Sequence, residues 1–244
     1  MINSDIYSKM KGIGHKVAQC LDEIEKIIIP GINTFDIEEV VRKFQTKNNL
    51  KNSQFGYYNF PGLLCISVNE EICHGIPSKN KILKEGDIVS CDITFNFDGY
   101  HGDSCRTFPV SDISEEVFHL IQVAHEATEI GIDKALPGRN LSDIGKYIEE
   151  YVNDEGMQVV KDFGGHGIGT SMHMDPYINN HYAPKVKDII KPGMMFTIEP
   201  IITLGESKCK LLPNHWTAVT LDGSWSAQFE HSIGVTDTGN IIFT

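Results

Sequence analysis

The sequence predicts an α+β fold of two similar helix-helix-strand halves, and three observations lead there. Apolar residues fall at three- and four-residue steps in residues 6–28, a β-rich stretch at 86–108 carries a hairpin turn, and a set of landmarks recurs 107 residues later.

Taken in order, Ile6, Met10, Ile13, Val17, Leu21, Ile24 and Ile28 make one helical stripe that stops at Pro30-Gly31. A second helix should follow with Thr34 as its N-cap, acidic Asp36, Glu38 and Glu39 at its positive start, and Ile37, Val40, Val41 and Phe44 on one face. The segment GDIVSCDITFNFDGYHGDSCRTF at 86–108 reads as two strands joined at Asp98-Gly99. Helical spacing returns over 114–153, with Ser114 ahead of Glu115 and Glu116, and with Pro137-Gly138 separating a third helix from a fourth.

The repeat ties these elements together. Pro30-Gly31-x-Asn33-x-x-Asp36-Ile37 recurs as Pro137-Gly138-x-Asn140-x-x-Asp143-Ile144, Lys84-x-Gly86 recurs as Lys191-x-Gly193, and Asp92 maps onto Glu199. A period of 107 residues is too long for a solenoid, so the halves, approximately 1–110 and 111–244, should form one compact domain over 1–244 with related strands near its centre. A functional site is expected between them.

Composition narrows the function classes. Acidic residues outnumber basic ones 33 to 21, for a formal charge of -12, which disfavours a general nucleic-acid or anionic-membrane binder. The longest apolar runs, such as Ile27-Ile28-Ile29, fall far short of the roughly 20 residues of a membrane helix, and MINSDIYSKMKG lacks an apolar signal core. A cytoplasmic protein is expected. The six cysteines form no CxxC pair and read as small buried hydrophobes rather than a disulfide framework.

Chemistry enters with the carboxylates. With Asp98-Gly99 as the turn, Asp103 stands opposite Thr94, and Asp92 shares the face of Thr94. Asp92 and Asp103 are then diagonal neighbours roughly 7 Å apart between backbones. Two such carboxylates repel, and either a shared proton or a bound cation relieves them, a metal being the simpler answer. Glu199 ends the apolar run Met194-Met195-Phe196-Thr197-Ile198, Glu230 lies in Ala227-Gln228-Phe229-Glu230-His231, and His166 is bracketed by glycines in GGHGIG. Four carboxylates and one histidine can supply ligands for two divalent ions with a water between them, and this donor set disfavours a thiolate zinc site.

On these residues, and on CISVNEEICHGIPS (65–78), GDIVSCDITFNFDGYHGDS (86–104), GGHGIG with the later His173, GMMFTIEP and SAQFEHS, the chain resembles type I, bacterial-type methionine aminopeptidases over nearly its whole length. The resemblance implies the pita-bread fold, with two halves related by a pseudo-two-fold axis around a central curved antiparallel sheet. It implies removal of the initiator methionine, before a small second residue, from nascent polypeptides. Asp92, Asp103, His166, Glu199 and Glu230 become ligands of two divalent ions, of cobalt, manganese, iron, zinc or nickel. Glu199 becomes the proton shuttle, His173 a donor to the oxyanion, and His74 a contact near the scissile bond. Tyr57, Phe60, Cys65, Met172 and Trp216 match the methionine side-chain pocket. His101 and His231 are expected to be structural.

Two positions depart from the family pattern: Met172 stands where many relatives carry an aromatic residue, and Gly164 where many carry cysteine. The role implies transient ribosome contact by a monomer, with no specific nucleic-acid site and no membrane. The alternatives are an X-Pro aminopeptidase of the same fold, which resembles longer chains with an added N-terminal domain, and a non-catalytic pita-bread binding module, which would have lost ligands. Type II relatives carry a helical insertion for which the span from His166 to Glu199 leaves no room.

Overall fold

A computed structural model describes residues 4–244. Helices α1 (Ser4–Glu25) and α2 (Thr34–Asn48) cover one half of a nine-stranded antiparallel sheet, and α3 (Glu115–Lys134) and α4 (Ser142–Asp154) cover the other. From one edge the strands run Lys51–Asn52, Ile88–Phe97, Tyr100–Pro109, Glu230–Val235, Met195–Ile198, Gly164–Gly167 and Met174–Asn179. Cys65–Val68 also pairs with Ile88–Phe97, and Asn240–Ile242 with Glu230–Val235. The two halves meet where Glu230 pairs with Cys105.

Strand alternation explains which face does what. In Ile88–Phe97, Val89, Cys91, Ile93 and Phe95 point into a core with Val17, Leu21, Ile24 and Ile37 of α1 and α2. Burying one such Leu or Ile side chain contributes about 2 kcal/mol. Phe196, Ile198, Ile233 and Val235 do the same beneath α3 and α4. The intervening positions, including Asp92 and Thr94, are left to the opposite face.

The duplication is visible in the backbone. Isolated bridges join Asn33 to Ile82 and Asn140 to Ile189, each pair displaced by the same 107 residues. Gly31 donates to the Leu83 carbonyl and Gly138 to that of Ile190, both at 2.8 Å. Gly31 and Gly138 sit at φ +94° and +85°, a left-handed conformation that glycine adopts without penalty.

The Asp98-Gly99 hairpin forms as expected, with Phe97 paired to Tyr100 and Thr94 to Asp103. Ser114 caps α3, accepting from the Val117 amide at 3.3 Å. Two boundaries differ. The N-cap of α2 is Asn33 rather than Thr34: Asn33 is extended (φ -93°, ψ 156°) and its Oδ1 accepts from the Asp36 amide at 3.0 Å. Thr34 is already helical, and its hydroxyl exchanges bonds with Ser78. Helix α1 stops at Glu25, short of Pro30, because Ile27 and Ile28 close shorter three-residue turns onto Ile24 and Glu25; a run of β-branched residues carries the helix poorly. We expect Asn33→Ala to lower unfolding free energy by about 1 kcal/mol in urea denaturation; no change would show that the cap contributes nothing.

Candidate metal centre

The five expected ligands converge. Asp92 and Asp103 lie on adjacent strands, close enough that the Asp92 charge raises the Asp103 carboxyl. Asp103, His166 and Glu230 offer ligand atoms that all lie within 4.8 Å of one another. Glu199 follows the Met195–Ile198 strand and brings Oε1 to 3.6 Å from His166 Nε2, while Asp103 Oδ2 lies 3.8 Å from the same nitrogen. Both separations are too long for a hydrogen bond, yet they suit an ion bonded to each atom at about 2.0–2.2 Å.

Neutral donors hold the acids in place. Thr94 Oγ1 donates to Asp103 Oδ1 at 2.7 Å, Gln54 Nε2 to Asp92 Oδ1 at 3.1 Å, and Thr197 Oγ1 to Glu199 Oε1 at 2.6 Å. Thr197 Oγ1 also accepts from the His166 amide at 3.0 Å, so one hydroxyl orders two of the expected ligands. The His166 ring donates from Nδ1 to the Gly167 carbonyl at 3.1 Å, which leaves the Nε2 lone pair facing the carboxylates.

Burial, and after it the charge of Glu199, pushes Asp92 up to about 7. Burial and then the Asp103 charge push Glu199 up to about 8, against the Thr197 hydrogen bond. Burial, and after it a neighbouring carboxylate charge, that of Asp92 for Asp103 and that of Asp103 for Glu230, drives both of these acids well above the usual carboxyl range. Burial, then the His173 charge, drops His166 to about 4, so its imidazole is neutral and free to ligate. The Cys65 and Cys73 thiols beside the cluster are pushed well up by burial and stay protonated. A buried oxygen and imidazole donor set with no thiolate fits divalent cations.

The cluster opens into a cavity of about 790 Å³ lined by every residue expected to bind substrate: Tyr57, Phe60, Cys65, His74, Met172, His173 and Trp216. Phe60 meets Trp216 edge-on at 5.1 Å, and His74 packs between Trp216 at 6.1 Å and Phe163 at 5.5 Å. His74 sits at φ +55°, a strained position of the kind found at functional sites. His173 lies 4.1 Å from His166 between ring centroids, with Nδ1 2.8 Å from the Tyr57 hydroxyl. His101 bonds Ser53 and His231 bonds Thr244, partners outside the cluster.

Sequence reasoning missed Gln54, Phe163 and Tyr177 in the lining, and the parts played by Thr94 and Thr197. The glycine at 164 has a visible consequence. A Cβ there would lie 2.6 Å from the Tyr177 hydroxyl and 2.5 Å from the Ile178 carbonyl, so the missing side chain gives the Tyr177 phenol its place in the cavity wall.

The raised carboxyls set the pH response of chelator-treated protein. An acid whose pKa is higher folded than unfolded keeps its proton on the native side, so native protein binds more protons from about pH 4 up to about 7 to 8, and stability falls as pH rises through that window. Below about pH 6.5 the histidines that burial depresses, His166 and His231 foremost, oppose this trend, so melting temperatures should decline from about pH 6.5 to 8, and Mn(II) should recover most at the alkaline end. A flat profile would contradict the repulsion.

The model of metallopeptidase family M24 matches residues 8–237. Methionine aminopeptidase 1 of Bacillus subtilis is 42% identical over 235 residues, 96% of this chain and 94% of that protein. Methionine aminopeptidase of Escherichia coli K12 is 37% identical, covering 97% and 90%. The crystal structure of methionine aminopeptidase from Rickettsia prowazekii superposes with a TM-score of 0.97 at 39% identity, covering 100% and 99%. Prolidase from Pyrococcus furiosus shares the fold at a TM-score of 0.79 and 18% identity, with this chain spanning 65% of it. Matched along nearly its full length, the chain belongs to metallopeptidase family M24.

Proposed function

We infer that the chain is a methionyl aminopeptidase, a metallo-exopeptidase that removes the N-terminal methionine from polypeptides. One observation supports this reading: four carboxyls and a histidine open directly into an apolar pocket walled by Phe60, Met172 and Trp216, suited to a single unbranched thioether. The X-Pro alternative is disfavoured, since prolidases align at low identity over part of their length whereas methionine aminopeptidases align nearly end to end. A non-catalytic module is disfavoured by the intact ligand set.

In this reading Asp92, Asp103, His166, Glu199 and Glu230 hold two divalent ions, of cobalt, manganese, iron, zinc or nickel. Such ions, when bound, polarise the scissile carbonyl and ease deprotonation of a water. Glu199, whose proton affinity lies near neutrality without metal, carries the proton from that water to the departing amine. With the Tyr57 hydroxyl donating to Nδ1, His173 keeps its proton on Nε2 and donates it to the developing oxyanion. His74, held between two aromatic rings, contacts the peptide beside the scissile bond.

The whole chain, 1–244, acts as one catalytic unit. No helix among the described residues is long and apolar enough to cross a membrane. The setting we assign is a monomer in the cytoplasm that meets nascent chains in passing contact with ribosomes and has no specific nucleic-acid site.

Protein loaded with Co(II), Mn(II) or Fe(II) should release methionine from Met-Ala-Ser and leave Pro-first and X-Pro peptides whole. His166→Ala should abolish turnover, and His173→Ala should lower kcat about 100- to 1,000-fold. An uncut tripeptide in the presence of all three metals would sink the reading.

A further inference from the structure

One edge of the Ile88–Phe97 strand is covered by two partners that do not meet. Lys51–Asn52 pairs with Asn96 and Phe95, and Cys65–Val68 pairs from Asp92 to Val89. Ser53 extends the first partner by one bond, its amide donating to the Thr94 carbonyl at 3.0 Å. The gap beyond it is closed by a side chain. Gln54 Oε1 accepts from the Thr94 amide at 3.2 Å, and Gln54 Nε2 donates to the Asp92 carbonyl at 3.1 Å. The carboxamide thus continues the ladder where the backbone leaves the sheet.

The same Nε2 donates to Asp92 Oδ1 at 3.1 Å and lies 3.7 Å from Cys65 Sγ. Both ends of the amide are engaged, and Gln54 is only 7% exposed, so turning it over would put its acceptor against the Asp92 oxygens and its donors against the Thr94 amide. Main chain and carboxylate of one residue are gripped together. Each aspartate of the pair has Oδ1 tied to a neutral donor, Thr94 for Asp103 and Gln54 for Asp92, with the other oxygen left to the cluster. A lysine or arginine here would bring its own positive charge into competition with a bound cation. A carboxamide orients the ligand without that competition.

We propose that Gln54 is a positioning residue for the metal centre, holding Asp92 at the rotamer that binds an ion. The proposal rests on the metal reading given above and adds to it a group that reaches the site only through Asp92. Gln54→Met keeps the length and packing beside Cys65 while removing donor and acceptor. Gln54→Asn keeps the amide and is too short to span Thr94 and Asp92 together.

The test is Co(II) titration of chelator-treated protein, followed by calorimetry and by visible absorption, with the melting temperature of each metal-free variant measured alongside. Both variants should bind Co(II) about 10- to 100-fold more weakly than wild type, with an altered Co(II) spectrum. On Met-Ala-Ser, kcat should fall by a larger factor than KM rises. If the variants melt lower yet bind Co(II) with wild-type affinity and spectrum, Gln54 only closes the sheet edge and the proposal is overturned. If wild-type protein itself takes up no Co(II), it is the metal reading that fails.

Discussion

Four carboxyl groups face one another across the middle of the sheet, and their repulsion is the constraint on which the rest of the molecule depends. Asp103 and Glu230 are almost completely buried, and Asp92 and Glu199 stand beside them. Charges so placed are tolerated only when protonated or when cations sit between them. The groups that touch them are neutral: a histidine that burial keeps uncharged, two threonines and a glutamine that donate hydrogen bonds, and thiols that stay protonated. No lysine or arginine forms an ion pair with any of the five candidate ligands among the bridges of the described residues, so the negative potential is left for cations.

Such a cluster also demands strict strand register. A slip of one residue would turn Asp92 and Asp103 into the helix-covered core and bring Cys91 and Ile93 out to the cavity. The two-residue turn at Asp98 and Gly99, with φ of +52° and +81°, fixes that register. Across the sheet centre, Ser104 Oγ donates to the Glu230 carbonyl at 2.6 Å and Ser232 Oγ to the Asp103 carbonyl at 2.7 Å, so the two halves are pinned beside the acids themselves.

What could be read in advance follows from these local rules. The hairpin pairing, the facing of Asp92 and Asp103, the Ser114 cap and the 107-residue repeat all depend on short-range spacing, and the family resemblance pointed to the five candidate ligands and the seven residues that line the cavity beside them. What escaped reading depends on contacts between distant segments. Asn33 and Thr34 are both good cap residues, and the choice was made by Ser78, whose bonds draw the Thr34 hydroxyl away. Gln54 reaches Asp92 across 38 residues of chain, and Tyr177 occupies space left by Gly164 in the strand beside it. No periodicity in the sequence records either meeting.

The repeat builds a symmetric frame, and function arises where the symmetry fails. Cys65 stands across from Asp92 in the first half. In the second, the pairing of Gly167 with Phe196, continued past the His166 amide on Thr197, brings Gly164 level with Glu199, so equivalent strands flank equivalent acids. Ser67 then corresponds to His166. The serine caps the Gly75 amide at 3.2 Å and stays in the sheet, whereas the histidine turns to the carboxyl cluster beside Asp103 and Glu230, so one copy of the repeat supplies the imidazole. The strands that follow diverge further: the first pair is joined by a two-residue turn, while between Ile198 and Glu230 lie the strands Ile201–Thr203, Cys209–Leu211, Ala218–Thr220 and Ser226–Gln228. That excursion carries Trp216 to Phe60 and His74, closing the apolar end of a cavity whose acidic end the duplicated strands had already made.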